Sequence, residues 1–284
     1  MTKTEKESIK NELQGPKGLI RQIRAKYVPN TQDMALLAQT EYEATEAGFT
    51  DVDKALDSLL TIEYKIYLEK QLKITEGFAQ YADKEATKEK HPAVRSSIDK
   101  YKNLIASGAN PTDTLKEISK IFMTLADSNR QSRVSRSGSS LMHHISYLLT
   151  KSGYVEKVDY QREFVLKEGC KLDFFFPDLA TYQNEPKNCC AVACQTTSND
   201  RFRLTFAQMP SDTRNRACTA IGNSNFGDKL GPKSLTDTKL SEAKKNGVKF
   251  VIIGSSIDQR LLDSKAVISY EDWFQELETL KPFW

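Results

Sequence analysis

An α/β fold with a mixed central sheet flanked by helices, preceded by a mostly helical N-terminal region, is what the sequence predicts. Three observations carry it. Apolar residues recur at helical spacing through much of the first 125 of 284 residues. Short runs rich in β-branched and aromatic residues appear after that point. Further stretches of helical periodicity lie between and after those runs.

The elements follow in chain order. From Asp51 to about Lys88 the pattern is helical, with Ala55, Leu59, Leu60, Ile62, Ile66 and Leu68 on one broad apolar face. "PTDTLKEISKIFMTLADSN" predicts another helix, with Thr112 or Asp113 as its cap. "SSLMHHISYLLTKSG" predicts a further one, ending at Gly153. The strands are "REFVLKE", "CKLDFFF", "CCAVACQ" and "VKFVIIG". "TDTKLSEAKKNG", which stops at Gly247, and "SYEDWFQELETL" complete the helices. Residues 1–125 read as a mostly helical region, and 126–284 as an α/β core.

Composition sets limits. Hydrophobic content of 39% and charged content of 28% suit a globular protein, and a net charge of +3 argues neither for nor against nucleic acid. Cys170, Cys189, Cys190, Cys194 and Cys218 show no paired CxxC spacing, which reads as reduced thiols in a cytoplasmic protein. The N-terminus is too polar for a signal peptide, and no apolar run approaches the roughly 20 residues that span a bilayer.

"KLDFFFPD" and "NCCAVACQTT" lie close enough in sequence for an antiparallel hairpin, with its turn centred near Asn184. That register pairs Asp173 with Gln195. One face then holds Lys171, Asp173, Gln195 and Thr197, next to Phe175 and Ala193. An acid on one strand facing a polar residue on the next is the skeleton of a PD-(D/E)xK nuclease core. Its carboxylates hold Mg²⁺ against a phosphate, and a nearby cation stabilises charge. The literal string Pro177-Asp178…Glu185-Pro186-Lys187 is the poorer candidate, because its last three residues fall in the turn.

"VACQTTSNDRFRLTFAQ" resembles the CCGG family of type II restriction endonucleases, on the EcoRII-like branch. There a strand ends in lysine-Thr-Thr, followed by a basic-acidic-basic recognition trio and a second metal carboxylate on the next helix. "SRSGSSLMHH" resembles the family's helix start, "LDFFFPD" its metal-aspartate strand, and "SLTDTKLSEAKKNGVKFVII" its late helix-turn-strand. The resemblance covers about residues 130–275. It implies a PD-(D/E)xK fold, Mg²⁺ as cofactor, double-stranded DNA as partner and a homodimer.

Carried over by position, Asp173 is the metal-binding aspartate, Gln195 stands at the lysine, Gln208 at the second carboxylate and Met142 at the helix glutamate. Each of the last three has lost formal charge. Lys171, two residues before Asp173 on the same strand face, is the candidate replacement cation, and an exposed strand lysine is the plainer alternative. Glu163 is a weaker candidate for a second carboxylate.

Asn199, Asp200 and Arg201 align with the recognition trio, and Arg203 is a further phosphate or base contact. Arginine reads guanine and a carboxylate accepts from cytosine, a combination suited to adjacent C·G pairs. A solvated helix start gives the same string. From Ser128 to Val155 there is no acid, and Arg130, Arg133 and Arg136 suit phosphate contacts. His143 and His144 lack a companion ligand at metal spacing, so packing is the expected role. Tyr64 and Tyr67 read as core residues, with base stacking as the alternative. The function implied is Mg²⁺-dependent cleavage of a short pseudo-palindromic site with a CC…GG core. The rival is a DNA-binding protein on the same fold that has lost cleavage.

Overall fold

In a computed structural model of the chain, the apolar runs of the second half pair into one six-stranded sheet. The structure describes residues 3–45, 49, 51–82, 90–167, 170–195, 206, 209–225 and 231–284. The strands are β1 Gln161–Lys167, β2 Cys170–Phe176, β3 Cys190–Cys194, β4 Arg214–Cys218, β5 Val248–Ile252 and β6 Val267–Ser269. They lie in sequence order across the sheet. β1, β2 and β3 run antiparallel to one another, and β3 to β6 run parallel.

The helices are α1 Lys3–Gln14, α2 Leu19–Tyr27, α3 Thr31–Thr45, α4 Val52–Ala82, α5 Pro92–Ala106, α6 Pro111–Lys151, α7 Leu179–Asn184, α8 Asp237–Lys245, α9 Gln259–Ser264 and α10 Tyr270–Leu280. The chain forms two compact units. One comprises Met1–Asn30 and Lys65–Arg136, the other Thr31–Tyr64 and Ser137–Trp284.

The first unit is helical, with Leu13, Ile20, Ile23, Ile74, Val94 and Ile121 fully buried. The Glu12 carboxylate accepts from the Ala93 and Val94 amides at 3.0 and 2.9 Å, which satisfies the start of α5.

The second unit is a sheet with helices on both faces. Leu56 and Leu59 of α4, Leu141, Ile145 and Leu148 of α6, and Trp273 and Leu277 of α10 pack on one face against Phe174, Phe176 and Val192. Leu240 and Ala243 of α8 and Leu261 of α9 pack on the other against Phe175, Ala191 and Phe250. β3, "CAVAC", is buried at every position because both faces are covered.

Two acids lock the ends of this unit together. Asp53 accepts from the Gly254 amide at 2.8 Å and from the Tyr270 and Glu271 amides at 3.2 Å. In return Glu271 accepts from the Val52 amide at 3.0 Å. Each helix start is thus satisfied by an acid from the other helix. Gly254 permits the approach, since a Cβ there would sit 2.9 Å from Asp53 Oδ2.

Three sequence expectations need correction. The segments predicted at 111–129 and 139–153 fall in one 41-residue helix that ends at Lys151. Its polar middle is held by side chains: Arg24 donates to Ser128 Oγ at 2.8 Å and Asn129 Oδ1 at 3.1 Å, and Arg136 donates to the Pro29 carbonyl. Buried Ile121 and Leu125 before it and Leu141 and Ile145 after it anchor both flanks, so one glycine costing about 1 kcal/mol is tolerated.

Second, β4 and β6 were not expected. β4, "RNRAC", looks too polar for a central strand. Its Arg216 is buried and is satisfied by Glu276 of α10, with Nε 3.0 Å from Oε2.

Third, β2 and β3 do pair antiparallel, but Phe174 faces Val192 and Phe175 faces Ala191. One further step sets Ala193, not Gln195, opposite Asp173. The connection holds α7 and a 3-10 turn at Pro186–Asn188 in place of a symmetric hairpin turn, and these set the register. A shift of two partner positions alone would keep the same faces, but β2 changes its pleat at Asp173. Leu172 lies with Phe175 and Ala193 in one core layer and Phe174 in the other, so Lys171 does not share the face of Phe175 and Ala193.

Candidate active site

Asp173 sits where β1, β2 and β3 meet. Its side chain is half-buried, and its Oδ2 accepts from the Cys194 amide at 2.6 Å. The carboxylate therefore bridges from β2 to the end of β3. Burial raises the Asp173 carboxyl above its ordinary range, partly offset by the Cys194 bond and the Lys171 charge.

Lys171 and Glu163 lie beside it. Lys171 Nζ is 2.9 Å from Glu163 Oε1, and both side chains are more than half exposed. The Lys171 bond holds Glu163 below the usual carboxylate range, and the Glu163 bond raises Lys171. Arg162 faces Phe174 and Phe164 faces Leu172, so Glu163 falls opposite Asp173. Glu163 also has φ of +49°, in the left-handed region that non-glycine residues rarely adopt.

Arg162 and His143 border this group. Arg162 Nη2 lies 3.4 Å from His143 Nδ1, and Nη1 lies 3.9 Å from Glu156. Burial, then the neighbouring Arg162 charge, lowers the His143 pKa and favours the neutral ring. A cleft of about 300 Å³ beside them is lined by Gln39, His143, Tyr147 and Arg162, among others. Met142 packs against the hydrophobic core.

His144 has a carboxylate partner after all. Its Nε2 is 2.7 Å from Glu63 Oε2, while Ser140 Oγ donates to Glu63 Oε1 at 2.5 Å, all buried. Helical spacing sets Ser140 and His144 on one face of α6. Glu63 comes from α4, 81 positions away, which no local motif reveals.

The other candidates stand as follows. The Gln195 backbone N–H donates to the Cys218 carbonyl at 2.8 Å and extends the β3–β4 pairing. Asn199, Asp200, Arg201, Arg203 and Gln208 lie outside the described residues. Arg130 is exposed, Arg133 and Arg136 are half-buried, and all three lie on α6 within the first unit. Tyr67 is buried. Asp178 caps α7 by accepting from the Thr181 amide at 2.8 Å, which takes the literal Pro177-Asp178 string out of the site. The five cysteines are buried and none forms a disulfide.

Asp173 and Glu163 offer hard oxygen donors of the kind Mg²⁺ takes, one or two protein carboxylates with the remaining positions left to water and phosphate. Among the described residues no group of three or more His, Cys, Asp and Glu converges as a metal cage. No helix among them is long and apolar enough to cross a membrane.

This sheet and its helices define a restriction-endonuclease fold. Residues 101–216 match the family described as EcoRII C terminal. The fold is similar to that of metal-depleted Ecl18kI in complex with uncleaved, modified DNA, with a TM-score of 0.67, 15% identity, and 94% of this chain and 83% of that chain covered. It is also similar to a complex of restriction endonuclease PspGI with substrate DNA, with a TM-score of 0.53, 14% identity, and 89% and 93% covered. No curated protein matches the chain.

Proposed function

We propose that this chain is a type II restriction endonuclease of the PD-(D/E)xK class. It hydrolyses double-stranded DNA, as a homodimer and with Mg²⁺, at a short pseudo-palindromic site with a CC…GG core. Residues 1–125 serve DNA binding and dimerisation, and 126–284 carry recognition and cleavage. The observation that carries the proposal is the Asp173 carboxylate, fixed by the Cys194 amide beside the Lys171 ammonium, on a fold shared with restriction endonucleases in DNA complexes.

In the reaction, water oxygen bonds to phosphorus, one P–O ester bond breaks, and the proton given up by the water ends, through solvent, on the departing sugar oxygen. Mg²⁺, when bound, supplies charge stabilisation at the phosphate. Asp173 would hold the metal. Lys171 supplies the positive charge that Gln195 cannot. The side-chain amides of Gln195 and Gln208 orient water by hydrogen bonding. Asn199, Asp200, Arg201 and Arg203 face the bases and nearby phosphates.

Duplexes containing CCGG, CCNGG and related sites, incubated with purified protein with and without Mg²⁺, test the proposal. Metal-dependent cutting at such sites is expected. Asp200→Ala and Arg201→Ala are each expected to cost about 1–3 kcal/mol of preference over random duplex in competition binding. The second proposal, a DNA-binding protein without cleavage, is favoured by the neutral residues Met142, Gln195 and Gln208. Selective binding of CC…GG duplexes without any cutting would establish it.

A further inference from the structure

β1 and β2 break their pleat at the same place. In a regular strand, residues two apart share a face. Yet Leu172 lies in one core layer and Phe174 in the other. Likewise Tyr160 lies with Phe174, while Phe164 stacks on Phe175, ring centroids 4.9 Å apart. The change of face falls at Asp173 on one strand and at Glu163, with its positive φ, on the other. Irregularities of this kind re-aim side chains. Here Asp173 reaches across to a β3 amide instead of entering a core layer. Glu163, opposite it, stays at the surface with the Lys171 ammonium at 2.9 Å. An ion pair this exposed contributes little to stability, so it does not account for a strained residue in mid-strand.

We infer that Glu163 is the second metal-binding carboxylate of this site, acting with Asp173 across the β1–β2 pair. This rests on the nuclease proposal above and supplies a negative charge where Met142 and Gln208 supply none. With Glu163 the donor set becomes two carboxylates from adjacent strands, reachable from solvent. Lys171, already paired with Glu163, then marks the cation-attracting side of the site and must yield part of that pairing when a metal ion enters.

The test is Mn²⁺ titration of the full-length protein by isothermal calorimetry, read beside the Mg²⁺ dependence of cleavage. The variants are Asp173→Asn, Glu163→Gln, Lys171→Met and the Glu163→Gln/Lys171→Met double variant. Circular dichroism checks that each is folded. Glu163→Gln is expected to weaken Mn²⁺ binding about tenfold or more, as loss of a direct ligand should cost at least as much as loss of an outer-shell partner. The double variant separates ligation from charge balance. If Glu163 is a ligand, adding Lys171→Met leaves binding weak. If Glu163 merely offsets the lysine, Lys171→Met restores it, and the inference is overturned. Wild-type affinity in Glu163→Gln overturns it too, while Asp173-dependent cleavage by the same preparation keeps the nuclease proposal intact. If the wild type neither binds Mn²⁺ nor cuts any CC…GG duplex, both fall together.

Discussion

Asp173, Lys171 and Gln195 differ in what they can contribute, and that difference is measurable. Asp173→Ala removes the carboxylate fixed on the Cys194 amide and is expected to abolish cleavage while leaving DNA binding in Ca²⁺ largely intact. Lys171→Ala is expected to do nearly the same. Gln195→Ala should cost less, because an amide orients without supplying charge. Single-turnover cleavage beside gel-shift binding checks all three, and a Lys171→Ala protein that cuts at the wild-type rate removes that lysine from the mechanism. The sequence named Lys171, Asp173 and Glu163 as candidates on neighbouring strands, on the premise that residues two apart share a face. Their actual arrangement was not legible, because it depends on strand register and on a left-handed residue that breaks the period-two pattern. Glu63 was also hidden, because its bonds to Ser140 and His144 span two helices distant in sequence.

At the level of elements, α6 changes how its arginines are understood. The acid-free stretch begins midway along a continuous helix, with Arg130, Arg133 and Arg136 at three-residue spacing. They are not equivalent. Arg136 donates to the Pro29 carbonyl and so belongs partly to the fold. Neutralising Arg130 and Arg133 is expected to weaken binding to specific and random DNA alike. It should also reduce the slope of log affinity against log salt by roughly 0.9 for each phosphate no longer neutralised. An unchanged slope removes both side chains from phosphate contact. Arg136→Gln should instead lower the melting temperature. Strands with continuous apolar runs, β2, β3 and β5, were readable from composition. β4 was not, because two of its five residues are arginines and their neutralising partner lies on α10.

Across the whole molecule, that same partner gives stability a pH dependence. Glu276 accepts from Arg214 at 2.9 Å and from Arg216, whose side chain is only 4% exposed. Burial raises the Glu276 carboxyl, but the Arg216 charge and bonds outweigh this and leave it below its ordinary range. A lowered folded pKa stabilises above the unfolded value of about 4.3 and is lost as pH falls through the folded one. Urea midpoints should therefore drop below about pH 4 in the wild type. Glu276→Gln should be less stable at neutral pH by roughly 3 kcal/mol, since it leaves Arg216 buried without its counter-charge, and should show a shallower acid slope. Equal midpoints at pH 7 would mean that Arg216 finds other compensation.

The reciprocal bonds between Asp53 and the start of α10 have a consequence for how the chain matures. They join positions 217 and 218 residues apart. Closing so long a loop is entropically slow and is rewarded only when both ends are present. During synthesis the start of α4 is made more than 200 residues before its amide partners at Tyr270 and Glu271. The face of the sheet that α4 and α10 cover together must then wait, incompletely covered, until α10 itself has been made. A nascent chain stalled before residue 270 should stay protease-sensitive around residue 53, and extension past Leu280 should confer protection in a single step.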